Sequence, residues 1–161
     1  MGHKIALVTA VEKYSNKHIS QVDFAEADAK GFASAIALHG YCLSELAPSA
    51  KATKTTIESH LRRELQRLSA DDEFIFYYAG HGFSANGHNF ITAYDTDPSD
   101  LEKTSVRLQW IFDLVDKNKC ERVALFLDSC ESGITKLVKR RGLYSSMSEV
   151  ELDEFFSSAE Y

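Results

Sequence analysis

The stretch "RVALFLDSCESG", residues 122–133, changes character at its middle. Val123, Ala124, Leu125, Phe126 and Leu127 run together without a polar residue, and then Asp128, Ser129, Cys130, Glu131, Ser132 and Gly133 follow. A continuous apolar run of this kind suits a strand covered on both faces, as in a parallel sheet. "KIALVTAV" (4–11) and "EFIFYYA" (73–79) read the same way, and "YCLSEL" (41–46) reads as a further strand. Helical patterns lie between them. In 24–38, Phe24, Phe32 and Ile36 share a face, with Asp23 and Glu26 placed as a capping box. In 56–68 the face is Ile57, Leu61, Leu65 and Leu68, with Thr55 and Glu58 as the box. In 106–117 it is Leu108, Ile111, Phe112 and Val115, after Ser105. Strands alternating with helices predict an α/β sandwich with a mostly parallel central sheet.

The chain has 161 residues, the size of one domain, with a hydrophobic fraction of 44% and a charged fraction of 26%. Its net charge of −6 speaks against a nucleic-acid binder, which shows a basic face or arm. No apolar stretch reaches the roughly 18 residues of a membrane helix, and the amino terminus has no cleavage site of a secretory signal. Cys42, Cys120 and Cys130 form neither a disulfide framework nor a CxxC zinc site, so the expected compartment is the reducing cytoplasm.

In an open α/β sheet, ligands collect beyond the carboxyl ends of the strands. Two strands end there in reactive side chains: "FIFYYAGHG" at His81 and Gly82, and "RVALFLDSC" at Cys130. A thiol attacks only as thiolate and needs a base beside it, for which histidine is the usual partner. His81 stands 49 positions before Cys130, and adjacent parallel strands would bring the two together. The backbone N–H groups of Gly82 and Cys130 are candidates to hold an oxyanion. A dinucleotide loop fails in "GHGFSANG", because "FSANGHN" reads as a turn and not as a helix start. A metal set of His81, His88 and Cys130 is the minor alternative. Asp128 is two residues before Cys130, so on an extended chain the two side chains share a side. Asp28 lies four residues from both Phe24 and Phe32 and falls on the apolar stripe, where a carboxylate needs a partner, an open pocket or the helix amino terminus. The plainer role for Asp28 is to satisfy backbone amides at the sheet edge.

"YYAGHG" followed about fifty residues later by "LDSCESG" resembles the caspase-like cysteine peptidases, whose cysteine follows a histidine at about that distance. The likeness is nearest to the metacaspase and paracaspase branches and their bacterial relatives. "KIALVTAVEKY", "AEADAKGF" and "NFITAYDTDP" extend it over residues 4 to about 133. The resemblance implies a caspase-like three-layer α/β/α sandwich, with Cys130 as nucleophile, His81 as general acid and base, and the amides of Gly82 and Cys130 as the oxyanion hole. It also implies that Asp128 and Asp28 line a pocket for a P1 Arg or Lys. Glu131 stands where metacaspases usually have His, and its carboxylate would tend to raise a neighbouring thiol pKa. Ala79 stands where many have Ser, and matches the paracaspase form.

The expectation is therefore a cysteine endopeptidase cutting after Arg or Lys with a Cys–His dyad, acting in regulated cell death or defence. No organic cofactor and no metal are expected. Asp95 and Asp97 are turn formers beside Pro98 that calcium would also suit. Protein or peptide substrates, sensor or scaffold modules and a second copy are the expected partners, with no nucleic acid and no membrane. The competing expectation is a caspase-like interaction or dimerisation module without activity. A third is another thiol enzyme on a doubly wound sheet. Caspase-like folds continue past the cysteine with further strands, and only 28 residues follow Gly133, so residues 1–161 read as one large-subunit-like domain without the small-subunit part. Arg140 and Arg141, in "KLVKRRGLYSS" (136–146), are candidate self-cleavage sites if that segment is flexible. The same residues read alternatively as a solvated helix end.

Overall fold

The four apolar runs lie side by side in one sheet. The computed structural model describes residues 2–47, 49–129, 133–140 and 143–146. In chain order the elements are β1 (Lys4–Ala10), α1 (Ala25–Ala37), β2 (Cys42–Ala47), α2 (Lys54–Arg67), β3 (Glu73–Gly80), β4 (Gly82–Ala85), β5 (His88–Ile91), α3 (Leu101–Thr104), β6 (Val106–Arg107), α4 (Leu108–Asp116), β7 (Arg122–Ser129), β8 (Gly133–Arg140) and β9 (Leu143–Ser146). A six-stranded sheet has the order β2-β1-β3-β7-β8-β9. β2, β1, β3 and β7 are parallel, and β8 and β9 continue the sheet antiparallel. A second sheet, β4-β5-β6, stands at the carboxyl edge of β3. No described helix is long and apolar enough to cross a membrane.

The continuous apolar runs are explained by cover on both sides. Alternate residues of a strand face opposite ways. Leu7, Phe74, Phe76, Tyr78, Val123, Leu125 and Leu127 pack with Ile57, Leu61 and Leu65 of α2 and Ile111 and Val115 of α4. Ala6, Val8, Ile75, Tyr77, Ala79, Ala124 and Phe126 pack with Ala25, Ala29, Ala33 and Ile36 of α1. Two helical layers thus sandwich the sheet. Each large side chain so buried contributes about 1.5–3 kcal/mol.

The helix starts differ from the expected capping boxes. Asp23 and Glu26 form no capping box. Phe24, in the left-handed conformation at φ 68°, precedes α1 with no side-chain cap. Glu26 instead accepts from the Ser49 hydroxyl at 2.6 Å and the Ser49 amide at 3.2 Å, bonds that hold its carboxyl below the usual range. The Glu26 amide is taken by Glu12 at 3.1 Å. α2 starts from Thr53 and not Thr55: the Thr53 hydroxyl accepts from the Thr56 amide, and Asp95 accepts from the Lys54 amide at 2.8 Å. α4 starts at Leu108 and not at Ser105, because Val106 and Arg107 are drawn into a ladder with Ile91 and Phe90. The turn expected in "FSANGHN" is present. Asn86 and Gly87, at φ 50° and 76°, form the two-residue loop between β4 and β5, where positive φ matches the strand twist.

The buried face of α1 also differs from the expected one. It is Ala25, Ala29, Ala33 and Ile36, while Phe24 is 73% exposed. Phe32 remains on the sheet side, stacked on Tyr77 with centroids 4.2 Å apart and tilted against Phe126 at 5.1 Å. Small side chains let the helix approach the sheet closely, and that outweighs the larger rings in setting its rotation.

Candidate active site

The register of the sheet sets the carboxyl ends of β3 and β7 side by side. β3 and β7 pair in parallel from Glu73↔Arg122 to Gly80↔Ser129. His81 and Cys130 are the next residues of their respective chains. Cys130 and Glu131 lie outside the described residues. Position 81 and the end of β7 therefore share one sheet edge, although 49 positions separate His81 from Cys130.

His81 is held by main chain and side chain. Its carbonyl accepts from the Tyr78 hydroxyl at 2.9 Å, the Thr92 amide at 3.0 Å and the Thr92 hydroxyl at 3.0 Å. Its amide donates to the Tyr14 hydroxyl at 3.2 Å, and that hydroxyl lies 2.7 Å from the Thr92 hydroxyl. The Tyr14 ring stacks on the imidazole with centroids 5.5 Å apart. Nε2 of His81 lies 2.9 Å from the Ser20 carbonyl and 3.3 Å from the Ser20 hydroxyl. A carbonyl only accepts, so Nε2 carries the hydrogen and Nδ1 keeps its lone pair in the neutral ring. The exposed β1–α1 loop thus selects the tautomer that can take up a proton at Nδ1.

Each glycine beside the histidine makes room for a particular neighbour. A Cβ on Gly80 would lie 2.3 Å from the Tyr78 hydroxyl, so Gly80 clears the path by which Tyr78 reaches the His81 carbonyl. A Cβ on Gly82 would lie 2.8 Å from the Ser129 hydroxyl oxygen and 3.0 Å from the Ser129 Cβ. Gly82 therefore lets the histidine strand settle against the residue before Cys130. Ladder parity also orients its amide. Ala85↔His88 closes the two-residue loop as a narrow, bonded pair, which makes Gly82↔Ile91 a wide pair whose N–H groups point away from each other. The Gly82 N–H points out of the hairpin.

Tyr78 is fully buried, and burial pushes its hydroxyl well above the usual tyrosine range, so it stays protonated. It also lies 2.9 Å from the Thr92 carbonyl. Tyr78→Phe is expected to cost about 1–3 kcal/mol, since it strips a donor from buried carbonyls while keeping the ring. Urea unfolding of both proteins measures this; equal midpoints would show that the clamp contributes nothing to stability.

Asp128 contacts Tyr77, and the charge of Asp28 also acts on its hydroxyl. Asp128, half-buried on β7, lies 3.4 Å from the Tyr77 hydroxyl through Oδ2. Asp28 is exposed in the first turn of α1 and not sunk in an apolar stripe, so no buried charge has to be neutralised there. Burial raises the Tyr77 hydroxyl above its usual range, and the charges of Asp128 and then Asp28 push it further. Both carboxylates thus act on one hydroxyl at the α1 side of the sheet edge.

The other candidates have other positions. His88 pairs with Arg107 at 2.7 Å. Asp97 caps the following turn by accepting from the Ser99 amide at 2.9 Å. The described residues hold no cluster of three or more metal-ligating side chains. Neither Cys42, which is exposed, nor Cys120, which is buried, forms a disulfide. Arg140 ends β8, paired in register with Arg122 and Leu143. Up to Arg140 the backbone after Gly133 is a strand, not a helix end; the edge of β7 offers it a ladder that an isolated segment lacks. Arg141 lies outside the described residues.

Tyr14, Ser20, Tyr77, Tyr78 and Thr92 did not stand out in the sequence. Strand alternation in "FIFYYAGHG" carries a signal for the tyrosines, because it points Tyr77 and Tyr78 to opposite faces. No local pattern marks Ser20, which contributes a main-chain carbonyl from a loop.

Two solved structures share this architecture. The protein GSU0716 of Geobacter sulfurreducens superposes with a TM-score of 0.67 at 23% identity, over 81% of this chain and 52% of its own. The Drosophila initiator caspase Dronc superposes with a TM-score of 0.63 at 15% identity, over 81% of this chain and 50% of its own. At these identities the likeness is one of fold, and the chain spans about half the length of either. No curated protein matches it in sequence. The model of the caspase domain family matches residues 3–157, nearly the entire sequence, and the chain belongs to that family.

Proposed function

We propose that this domain carries the catalytic dyad of a cysteine endopeptidase that cuts after Arg or Lys. The observation that carries the reading is the His81 ring, fixed by the Ser20 carbonyl at the sheet edge where β7 leads into Cys130. In the proposed reaction Nδ1 of His81 takes the proton of the Cys130 thiol, and the thiolate attacks the scissile carbonyl carbon. The N–H groups of Gly82 and Cys130 hold the resulting oxyanion. The imidazolium then gives its proton to the leaving amine as the C–N bond breaks, and a thioester remains on Cys130. Water, deprotonated by His81, attacks the thioester and restores the thiol. No cofactor enters any step.

Asp128 and Asp28 are the proposed receptors of the P1 side chain, since their charges converge on one hydroxyl. Asp128→Asn keeps the shape and removes one charge. Cleavage after Arg is expected to fall tenfold or more, as about 1.5–3 kcal/mol of charge-assisted contact is lost. Peptide libraries measure this, and a preference for P1 Asp would overturn the acidic pocket. The proposed setting is a regulated effector in cell death or defence, in a reducing compartment, joined to sensor or scaffold modules. An Arg-directed active-site probe tests the reading as a whole. Labelling at Cys130 supports a peptidase, and folded protein without labelling supports an interaction module.

A further inference from the structure

We propose that Tyr77 is a third polar group of the P1 pocket and sets its preference for Arg over Lys. The inference rests on the peptidase reading above and adds a specificity-determining residue to it. β3 places Tyr77 and Ala79 on the α1 side of the sheet, and Ala79 is the register partner of Asp128. The side chain at position 79 is only a methyl group. The Tyr77 hydroxyl, from two residues back on the same strand, reaches the Asp128 carboxylate. Phe32 from α1 stacks on the Tyr77 ring and tilts against Phe126, so the ring is locked from the helix side.

The separation of the two oxygens is informative. An ordinary O–H···O bond spans about 2.5–3.0 Å. The Tyr77 hydroxyl and Asp128 Oδ2 are 3.4 Å apart, which leaves both only weakly satisfied by each other. Two acceptor oxygens at that spacing suit one N–H group shared between them. Asp28 adds a second carboxylate from the helix side. A guanidinium carries five N–H donors in a rigid plane and can serve two carboxylates and a hydroxyl together. An ammonium has three donors about a single point on a shorter stem, and once both carboxylates are served the hydroxyl gains less. The carboxylates thus attract either cation, and the hydroxyl distinguishes them.

Tyr77→Phe in the full natural protein tests this, with peptides that differ only in P1 Arg or Lys. The expected kcat/KM for Arg falls about tenfold, carried mainly by KM, while that for Lys falls by no more than about threefold. Circular dichroism and a thermal melt establish that the variant is folded. In the wild-type protein, a P1 arginine methylated on a terminal nitrogen loses one donor and is expected to approach the Lys rate. Equal losses for Arg and Lys, or an unchanged ratio, would overturn the role of Tyr77 while leaving the basic pocket standing. Wild-type protein that cleaves after neither residue overturns the peptidase reading itself, and this inference with it.

Discussion

Cys130→Ala is expected to abolish peptide cleavage while the protein stays folded. The substitution removes the only atom proposed to form a bond to the substrate, and His81 then has no thiol proton to take. Removing the nucleophile of a protease costs on the order of 10⁴-fold or more in kcat, because the covalent route closes and only binding and the oxyanion donors continue to act. The fold draws on the two large cores on either side of the sheet, whose described members run from Leu7 to Leu127 and from Ala6 to Phe126. Circular dichroism and a fluorogenic peptide with P1 Arg decide the matter together. A folded variant that cleaves at the wild-type rate would end the peptidase reading. Cys42 and Cys120 are poor substitutes. Cys42 begins the edge strand β2, and Cys120 is buried, with its sulfur 3.1 Å from the Asp72 carbonyl.

His81→Gln is the second large effect expected, a loss of about 10²–10⁴-fold in kcat. Glutamine keeps an N–H that can reach the Ser20 carbonyl, but it has no nitrogen that takes up a proton near neutral pH. The substitution therefore separates the base from the scaffold, since the His81 carbonyl and amide keep their bonds to Tyr78, Thr92 and Tyr14. The rate should then rise as pH approaches the thiol pKa, where thiolate forms without a base. Steady-state rates across pH measure both. A variant with the wild-type rate and pH profile would remove His81 from the mechanism.

The large catalytic losses and the smaller specificity losses arise on different faces of the same edge. Tyr78 points to the α2 and α4 side and holds the histidine loop, while Tyr77 points to the α1 side and meets the acids. One tyrosine pair on one strand thus serves both halves of the proposed site. Tyr78→Phe should disturb stability first, and Tyr77→Phe should disturb selectivity first.

Much of this was legible in the sequence because it depends on local periodicity. The runs 4–11, 73–79 and 122–128 were readable as doubly covered strands, since cover on both faces demands apolar residues without alternation. Ile57, Leu61 and Leu65 were readable as one buried helix face and are buried on α2, while Leu68, read on the same face, is buried just past the helix end in extended backbone. His81 and Cys130 were readable as strand-end residues, because the change from apolar to polar marks where a strand leaves the sheet. What only the tertiary structure decided depends on distance in space. Glu12 and Asp95 act as caps because each is brought from elsewhere in the chain to a first-turn amide, that of Glu26 or of Lys54. The rotation of α1 follows from the close approach of alanines to the sheet, which leaves Asp28 exposed on the first turn of the helix. The tautomer of His81 follows from a Ser20 carbonyl 61 positions away. Every residue carries a main-chain carbonyl, so no residue type announces which one will meet an imidazole.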